Sequence, residues 1–271
     1  MSGGGATLRQ AATVLMLRDT PAGPEVFMVR RNRRIDFASG ALVFPGGKVD
    51  AADRDRGWPD LCPALEATMA DSGADGLAFR LAAIREVFEE SGLLLAREAG
   101  GDKPIGGGAR LDALGTRYRQ ALNAGEISLR AMAEAERLTP ATDLLVPFSH
   151  WLTPEAMPRR FDTWFYLAAA PARQLASHDG RESVDSLWIR PLDALQAWRD
   201  GDFTVVFPTR LNLQVLGQAA TVEQALGAAR GRDIPAVMPR IEERADGPWL
   251  CIRPDQGYQT LEAPVDGVMR R

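Results

Sequence analysis

The chain has 271 residues, 45% of them hydrophobic, so it is long enough to bury a substantial core. Its formal net charge is −4 and it has no long basic run, which argues against a nucleic-acid partner and favours small-molecule chemistry. No apolar run has the length of a membrane span, and MSGGGATLRQ lacks the apolar stretch of a signal peptide, so we expect no membrane partner and a cytoplasmic location.

The first part of the chain predicts strands. Residues 12–17 and 25–31 are rich in β-forming residues, and the Pro and Gly residues between them predict a hairpin connection. ALVF (41–44) predicts a third short strand that Pro45 ends, and the two glycines after it permit a tight backbone path. Residues 54–76, which contain the helical stretch ALEATMA, predict an insertion before the next helix.

A helix is predicted from about Leu77 to Ser91, and Gly92 is placed to end it in a left-handed conformation. At about 100° per residue, the apolar side chains form a packing stripe opposite an acidic cluster. The stripe comprises Leu77, Leu81, Ile84 and Phe88, and the cluster comprises Glu86, Glu89 and Glu90. Clustered like charges cost a helix about 0.2–0.5 kcal/mol per pair, so either a bound cation or a solvent-exposed face must account for them.

Carboxylate oxygens suit hard cations such as Mg²⁺ or Mn²⁺, which can bridge phosphate oxygens and orient water. Cys62 and Cys251 lie far apart and predict reduced thiols. His150 and His178 have no partner at the spacing of a metal site or a catalytic triad, so both are interpreted as non-catalytic. The sequence therefore assigns the chemistry to carboxylates.

The rest of the chain predicts further helices and strands and contains no internal repeat. Two accessory helices are expected within about residues 109–138, and later strands and helices continue the domain. The predicted strands are DLLVPFSHWLTP, RFDTWFYLAAA and VDSLWIRP, and the predicted helices are PLDALQAWRDG, PTRLNLQVLGQA and TVEQALGAARG. RIEERADGPWLCIRPDQGY predicts a hairpin around Asp246 and Gly247. We expect one domain over 10–218, with a C-terminal extension, 219–271, packed on it.

REVFEESGL (85–93) resembles the second half of the Nudix hydrolase signature, G-x(5)-E-x(7)-R-E-U-x-E-E-x-G-U, in which U is aliphatic. FPGG supplies the first half, with Gly47 as the motif glycine and Asp53 at the place of the first glutamate. Residues 54–84 then intervene where the signature has seven positions. This split motif resembles the branch that contains the peroxisomal acyl-coenzyme A diphosphatases.

The resemblance implies an α/β fold, a Nudix-type α/β/α sandwich with a central mixed sheet, and metal-dependent hydrolysis of a diphosphate linkage. It implies that Mg²⁺ or Mn²⁺ is held by the Gly46 carbonyl and by the acidic cluster Glu86, Glu89 and Glu90. Arg85 would orient a carboxylate by ion pairing, and Glu182 is the candidate for a further acid from outside the motif. Asp53 either orients Arg85 or only opens the insertion.

FMVRRNRRIDFASGALVFPGG (27–47) also resembles the coenzyme A pyrophosphatase pattern, with Arg31, Gly40 and Phe44 aligned and Asn32 and Asp36 departing from it. The substrate-binding candidates are Arg31, Arg33, Arg34 and Phe44. An apolar channel walled by the accessory helices and the insertion, with Trp58, Leu61 and Phe79, is expected beyond them. ADP-ribose, dinucleotides and nucleotide sugars stay open as substrates, as does a non-catalytic nucleotide-binding module, and the oligomeric state is not predicted.

Overall fold

Two long strands at the start of the chain form the centre of the fold. Strands β1 (Leu8–Thr20) and β2 (Gly23–Arg31) pair antiparallel, with Leu17 opposite Val26. Apolar side chains on β1 point alternately to two separate hydrophobic cores, so both faces of the sheet are buried. The computed structural model describes residues 7–31, 40–65, 73, 75–176, 183–230 and 232–265.

The remaining strands in these residues are β3 (Leu42–Val43), β4 (Gly46–Lys48), β5 (Ala96–Glu98), β6 (Leu138–Pro140), β7 (Val146–Leu152), β8 (Arg160–Ala169), β9 (Ser183–Ile189), β10 (Ala236–Val237), β11 (Arg240–Arg244), β12 (Gly247–Cys251) and β13 (Glu262–Pro264). The α-helices are α1 (Gly76–Ser91), α2 (Ala109–Asn123), α3 (Leu129–Glu136), α4 (Pro191–Arg199), α5 (Phe207–Leu216) and α6 (Val222–Arg230). Short 3₁₀ turns lie at Ala51–Arg54, Trp58–Asp60, Thr142–Leu144 and Pro254–Gln256.

The main sheet is mixed. Within the described residues it has eight strands in the order β10-β7-β8-β1-β2-β3, with β4 also paired to β1 and β9 to β2. The β1–β8 and β7–β10 pairs are parallel, and the other pairs are antiparallel. Helices α1, α2 and α3 contribute to the core on one face, and α4, α5 and α6 contribute to the core on the other. The predicted α/β class with a central mixed sheet is confirmed.

The C-terminal extension packs on the same sheet. Strand β10 pairs with β7, and β11, β12 and β13 form a separate three-stranded sheet. Leu250, Ile252 and Tyr258 belong to the same core as helix α5. The predicted hairpin joins β11 to β12, whereas the predicted helix in ALEATMA falls largely on residues 66–70, outside the described part of the chain. None of the described helices combines the length and apolar character that crossing a bilayer requires.

Candidate active site

The segment that contains Gly46 and Gly47, called the glycine loop below, contacts helix α1, the acidic helix. Strand β4 pairs with β1, which places Gly46 opposite Thr13 and Gly47 opposite Ala12. A Cβ atom added to Gly47 would lie 2.6 Å from Oε2 of Glu86 and closer still to the other carboxylate atoms, so a side chain at this position would force the Glu86 carboxylate to move. The Gly46 N–H donates a hydrogen bond of 3.1 Å to Glu90 Oε2. The two halves of the split motif are therefore adjacent in space.

Arg85 connects this loop to the acids. Its Nε and Nη2 atoms donate to Oδ1 and Oδ2 of Asp53 at 3.1 and 3.0 Å, and Nη2 also donates to the Lys48 carbonyl at 2.8 Å. Its Nη1 atom donates to Glu86 Oε1 at 2.9 Å and to Glu89 Oε1 at 3.3 Å. Arg85 thus pairs with three carboxylates, and Asp53, which was expected either to orient Arg85 or only to open the insertion, is in contact with it.

Burial changes the acidity of these groups. Burial alone would lower the pKa of the Arg85 guanidinium, but its hydrogen bonding to Asp53 and the charges of Glu86, Asp53 and Glu89 together outweigh that effect and raise the pKa. Burial raises the pKa of Glu89 above its ordinary value, although the charge of Arg85 opposes the shift. Arg85 is therefore a permanent cation, and Glu89 holds a proton more tightly than a surface glutamate does.

The acidic face of helix α1 is not solvent-exposed. Glu89 and Glu90 are only 6% and 7% exposed, which makes the interpretation as a solvated face wrong. Leu81, Ile84 and Phe88 of the predicted apolar stripe are buried and Leu77 is partly buried, so the helix is covered on nearly all sides. Buried carboxylates require paired charges or donors, and Arg85 and the Gly46 N–H supply them here.

A second arginine holds the end of this helix and was not predicted from the sequence. Arg119, on α2, donates from Nε to the Glu89 carbonyl at 2.7 Å and from Nη2 to the Glu90 carbonyl at 2.6 Å. Gly92 caps the helix at φ 73°, as predicted. Helix α1 has no basic residue in its last turn, so a cation from elsewhere could have been expected there, but nothing in the sequence identifies which one.

A cavity of about 1050 Å³ opens at the glycine loop and the acidic helix. This volume is slightly above the range of about 300–1,000 Å³ that is usual for small-molecule sites. One part of the lining is polar and comprises Arg9, Lys48, Arg85, Glu86, Glu89 and Glu90. Another part is apolar and comprises Trp151, Phe165, Phe207, Pro239 and Leu250.

Two of the four predicted substrate-binding residues can be placed at this cavity. Arg31 and Phe44 line it. Arg33, Arg34 and Glu182 lie outside the described residues.

The three side chains expected to wall an apolar channel do not line this cavity, whereas Leu122, on accessory helix α2, does. Trp58 and Phe79 are buried in the core that contains helix α1, and Leu61 packs against that core, so none of them lines the cavity. Their size and apolar character suit a core as well as a channel, and the sequence pattern does not distinguish the two.

The next contacts concern His150, one of the two histidines that were interpreted as non-catalytic. His150 Nε2 lies 2.5 Å from Asp162 Oδ1, and its ring stacks on Trp164. Neither His150 nor Asp162 lines the cavity. His178 is not among the described residues.

The candidate ligands offer only oxygen donors, which suits a hard cation such as Mg²⁺ or Mn²⁺. Across the residues that the structure describes, no three His, Cys, Asp or Glu side chains are gathered so that they could hold an ion. Glu86 and Glu89 contact Arg85, and Glu90 contacts the Gly46 N–H. The donor chemistry fits a divalent cation, and the carboxylates would have to exchange some of these contacts to bind one.

The family assignment comes from residues 64–216, which match the NUDT19 Nudix domain. The match covers more than half of the chain. The chain belongs to this Nudix family. The glycine loop and Asp53 precede the matched range, and their contacts with Glu86 and Arg85 join them to it.

Two curated relatives have the same printed name, acyl-coenzyme A diphosphatase NUDT19. The Gallus gallus protein is 30% identical over 249 residues, covering 74% of this chain and 65% of that protein. The Xenopus laevis protein is 25% identical over 259 residues, covering 82% of this chain and 68% of that protein. The chain thus spans about two thirds of the length of these relatives.

A solved structure supports the fold assignment. The crystal structure of a Nudix hydrolase from Alicyclobacillus acidocaldarius matches with a TM-score of 0.70 and 28% identity, covering 82% of this chain and 96% of that one. The Nudix-type sandwich predicted from the sequence is confirmed.

Proposed function

We propose that this chain is a metal-dependent diphosphatase that hydrolyses the diphosphate linkage of a nucleoside diphosphate derivative, with coenzyme A or an acyl-CoA as the preferred substrate. The observation that carries this proposal is the cavity in which the glycine loop, Arg85 and the acidic cluster meet beside apolar side chains. Two relatives named acyl-coenzyme A diphosphatase support the choice of substrate.

The reaction is the hydrolysis of an acid anhydride. A water oxygen forms a bond to one phosphorus, the bond from that phosphorus to the bridging oxygen breaks, and the second phosphate leaves. The water loses a proton, which a carboxylate can accept. Glu86 and Glu90 are the candidates, because they contact the loop that lines the cavity.

The acidic cluster by itself would repel a diphosphate. Mg²⁺ or Mn²⁺, when bound, would neutralise charge on the phosphate oxygens and make water more acidic. The residues that would hold it are Glu86, Glu89, Glu90 and the Gly46 carbonyl, with Glu182 as a further candidate predicted from the sequence. Binding of Mn²⁺, followed by electron paramagnetic resonance without substrate, should weaken in Glu86→Gln and Glu90→Gln. Unchanged binding in both variants would remove these residues from the ligand set.

The substrate requires cations for its phosphates and apolar contacts for its arm. Arg31 and Phe44 line the cavity, and Arg33 and Arg34 follow Arg31 in the sequence. Arginine suits phosphate because its guanidinium can donate two parallel hydrogen bonds. Coenzyme A adds a 3′-phosphate and a long pantetheine arm to the diphosphate, and we expect its cleavage to give 3′,5′-ADP and a phosphopantetheine product.

One assay panel tests the proposal. Purified protein with Mg²⁺ or Mn²⁺ is given coenzyme A, an acyl-CoA, ADP-ribose, NADH and a nucleotide sugar in parallel, and kcat/KM is measured for each. We expect the highest value for coenzyme A or its ester. A clear preference for ADP-ribose, a dinucleotide or a nucleotide sugar would replace the substrate but keep the chemistry. No cleavage by correctly folded protein would favour a non-catalytic nucleotide-binding module.

A further inference from the structure

The apolar part of the cavity lining comes from elements far apart in the sequence. Trp151 lies on β7, Phe165 on β8, Phe207 at the start of α5 and Leu250 on β12. All four are buried, and all four line the same cavity as the acidic cluster. An apolar surface beside a charged site suits a ligand that carries both a phosphate group and an apolar arm.

The C-terminal extension is fixed in place at this surface. Strand β10 pairs with β7, and Val237 lies opposite Trp151. The ring of Tyr258 packs against Trp151 with centroids 5.3 Å apart, and the Tyr258 hydroxyl lies 3.4 Å from Asn212 Oδ1 on α5. The extension is thus held by backbone pairing, ring packing and a buried polar contact, so its position relative to the cavity is well defined.

We infer that the C-terminal extension determines specificity for the apolar arm of the substrate through Leu250 and Pro239, which bring the extension into the cavity lining. This inference rests on the proposed function and adds the residues that select the arm. The sequence alone directed attention to the insertion, in which Trp58 lies in the core and Leu61 packs against it instead.

Leu250 has a matched control two residues further along. Ile252 has the same number of carbon atoms, is also buried and belongs to the same core, but it does not line the cavity. Truncating either residue to alanine removes a similar volume from that core. Only Leu250→Ala should change contacts with the ligand. The ratio of the Kd values of two ligands, measured on one preparation of a variant, does not depend on the fraction of that protein that is folded.

The test is the affinity of the protein for free coenzyme A and for its butanoyl, hexanoyl and octanoyl esters, measured by calorimetry with Ca²⁺, which can neutralise the acidic cluster, and with chromatography to confirm that each ligand stays intact. We expect Kd to fall with chain length, by up to about fourfold for each methylene that is buried. Leu250→Ala should reduce this dependence at least severalfold, Pro239→Ala should reduce it less, and Ile252→Ala should retain it. Leu250→Val offers a milder truncation if the alanine variant folds poorly.

Three results would overturn the inference: no dependence on chain length in the natural protein, the same loss in Leu250→Ala and Ile252→Ala, or no binding of any of these compounds. Hydrolysis assays with metal, run in parallel, keep this inference separate from the proposed function. Cleavage of coenzyme A without a chain-length effect on Kd would contradict only the role of Leu250 and Pro239. A chain-length effect without any cleavage would contradict only the hydrolase.

Discussion

Arg85 and Asp53 form a buried ion pair with two hydrogen bonds, at 3.1 and 3.0 Å, that ties the acidic helix to the segment after the glycine loop. The Asp53 residue is only 2% exposed. Removing one partner of a buried pair leaves the other charge without full compensation, which costs far more than an exposed pair contributes. The pair therefore maintains the geometry of the split motif.

Asp53→Ala should lower the free energy of unfolding by about 3 kcal/mol, because Arg85 would lose its two-bond partner in a buried site. Denaturation by urea measures the loss. Asp50→Ala is the control, since Asp50 is exposed and lies 3.6 Å from Arg85, and it should cost less than about 1 kcal/mol. Equal losses in the two variants would show that the buried pair has no special role.

Gly47→Ala should lower kcat by about 100-fold, because the added methyl group would displace the Glu86 carboxylate. Steady-state kinetics on the substrate chosen by the assay panel provide the measurement. Gly115→Ala is the matched control, since a Cβ atom at Gly115 in helix α2 meets nothing within 4 Å. That variant should keep its kcat. A Gly47→Ala enzyme with normal kcat would contradict the contact between loop and helix.

Arg119→Met should lower the free energy of unfolding by about 1–3 kcal/mol, because the last carbonyls of helix α1 would lose a charged donor. Arg117→Met is the control. It lies on the same helix with a side chain that is 70% exposed, so its removal should cost less than about 1 kcal/mol. If urea denaturation gives the two variants the same stability, Arg119 does not hold the helix end.

Much of the fold could be predicted because its long elements carry clear patterns. Helix α1, the accessory helices and the strands β7, β8 and β9 all lie where hydrophobic spacing placed them. The short strands β4, β5, β6 and β13 were missed, because three residues are too few to show a period. Gly46–Lys48 in particular has the composition of a loop and becomes a strand only because it pairs with β1.

The sequence predicted the parts of the candidate site that lie on a single element, but not the contacts that come from elements far apart in the chain. The spacing of Glu86, Glu89 and Glu90 on one helix was visible in the sequence, but the burial of Glu89 and Glu90 was not, because charge ordinarily indicates exposure. Arg119 and Leu250 reach the site through tertiary packing from separate elements. No local pattern marks such residues, so only the structure identifies them.

The Cys62 thiol should react slowly with alkylating reagents at pH 8. Burial, with a contribution from the charge of Asp143, raises its pKa to about 12, so almost none of the reactive thiolate is present. In Cys251→Ser, iodoacetamide should react at a rate that keeps rising about tenfold per pH unit from pH 8 to pH 10 while the protein stays folded. A rate that levels off above pH 9 would show an ordinary thiol and a loosely attached insertion.

The most direct test of the proposed chemistry is kcat for diphosphate hydrolysis in Glu86→Gln and Glu90→Gln, each of which keeps the side-chain size and removes the charge. Glu223→Gln is the control, because Glu223 is exposed on helix α6 and does not line the cavity. With thermal stability shown to be similar in all variants, we expect kcat to fall by about 10²–10⁴-fold in both site variants and to stay unchanged in the control. A near-normal kcat in both Glu86→Gln and Glu90→Gln would contradict the assignment of catalysis to the acidic helix.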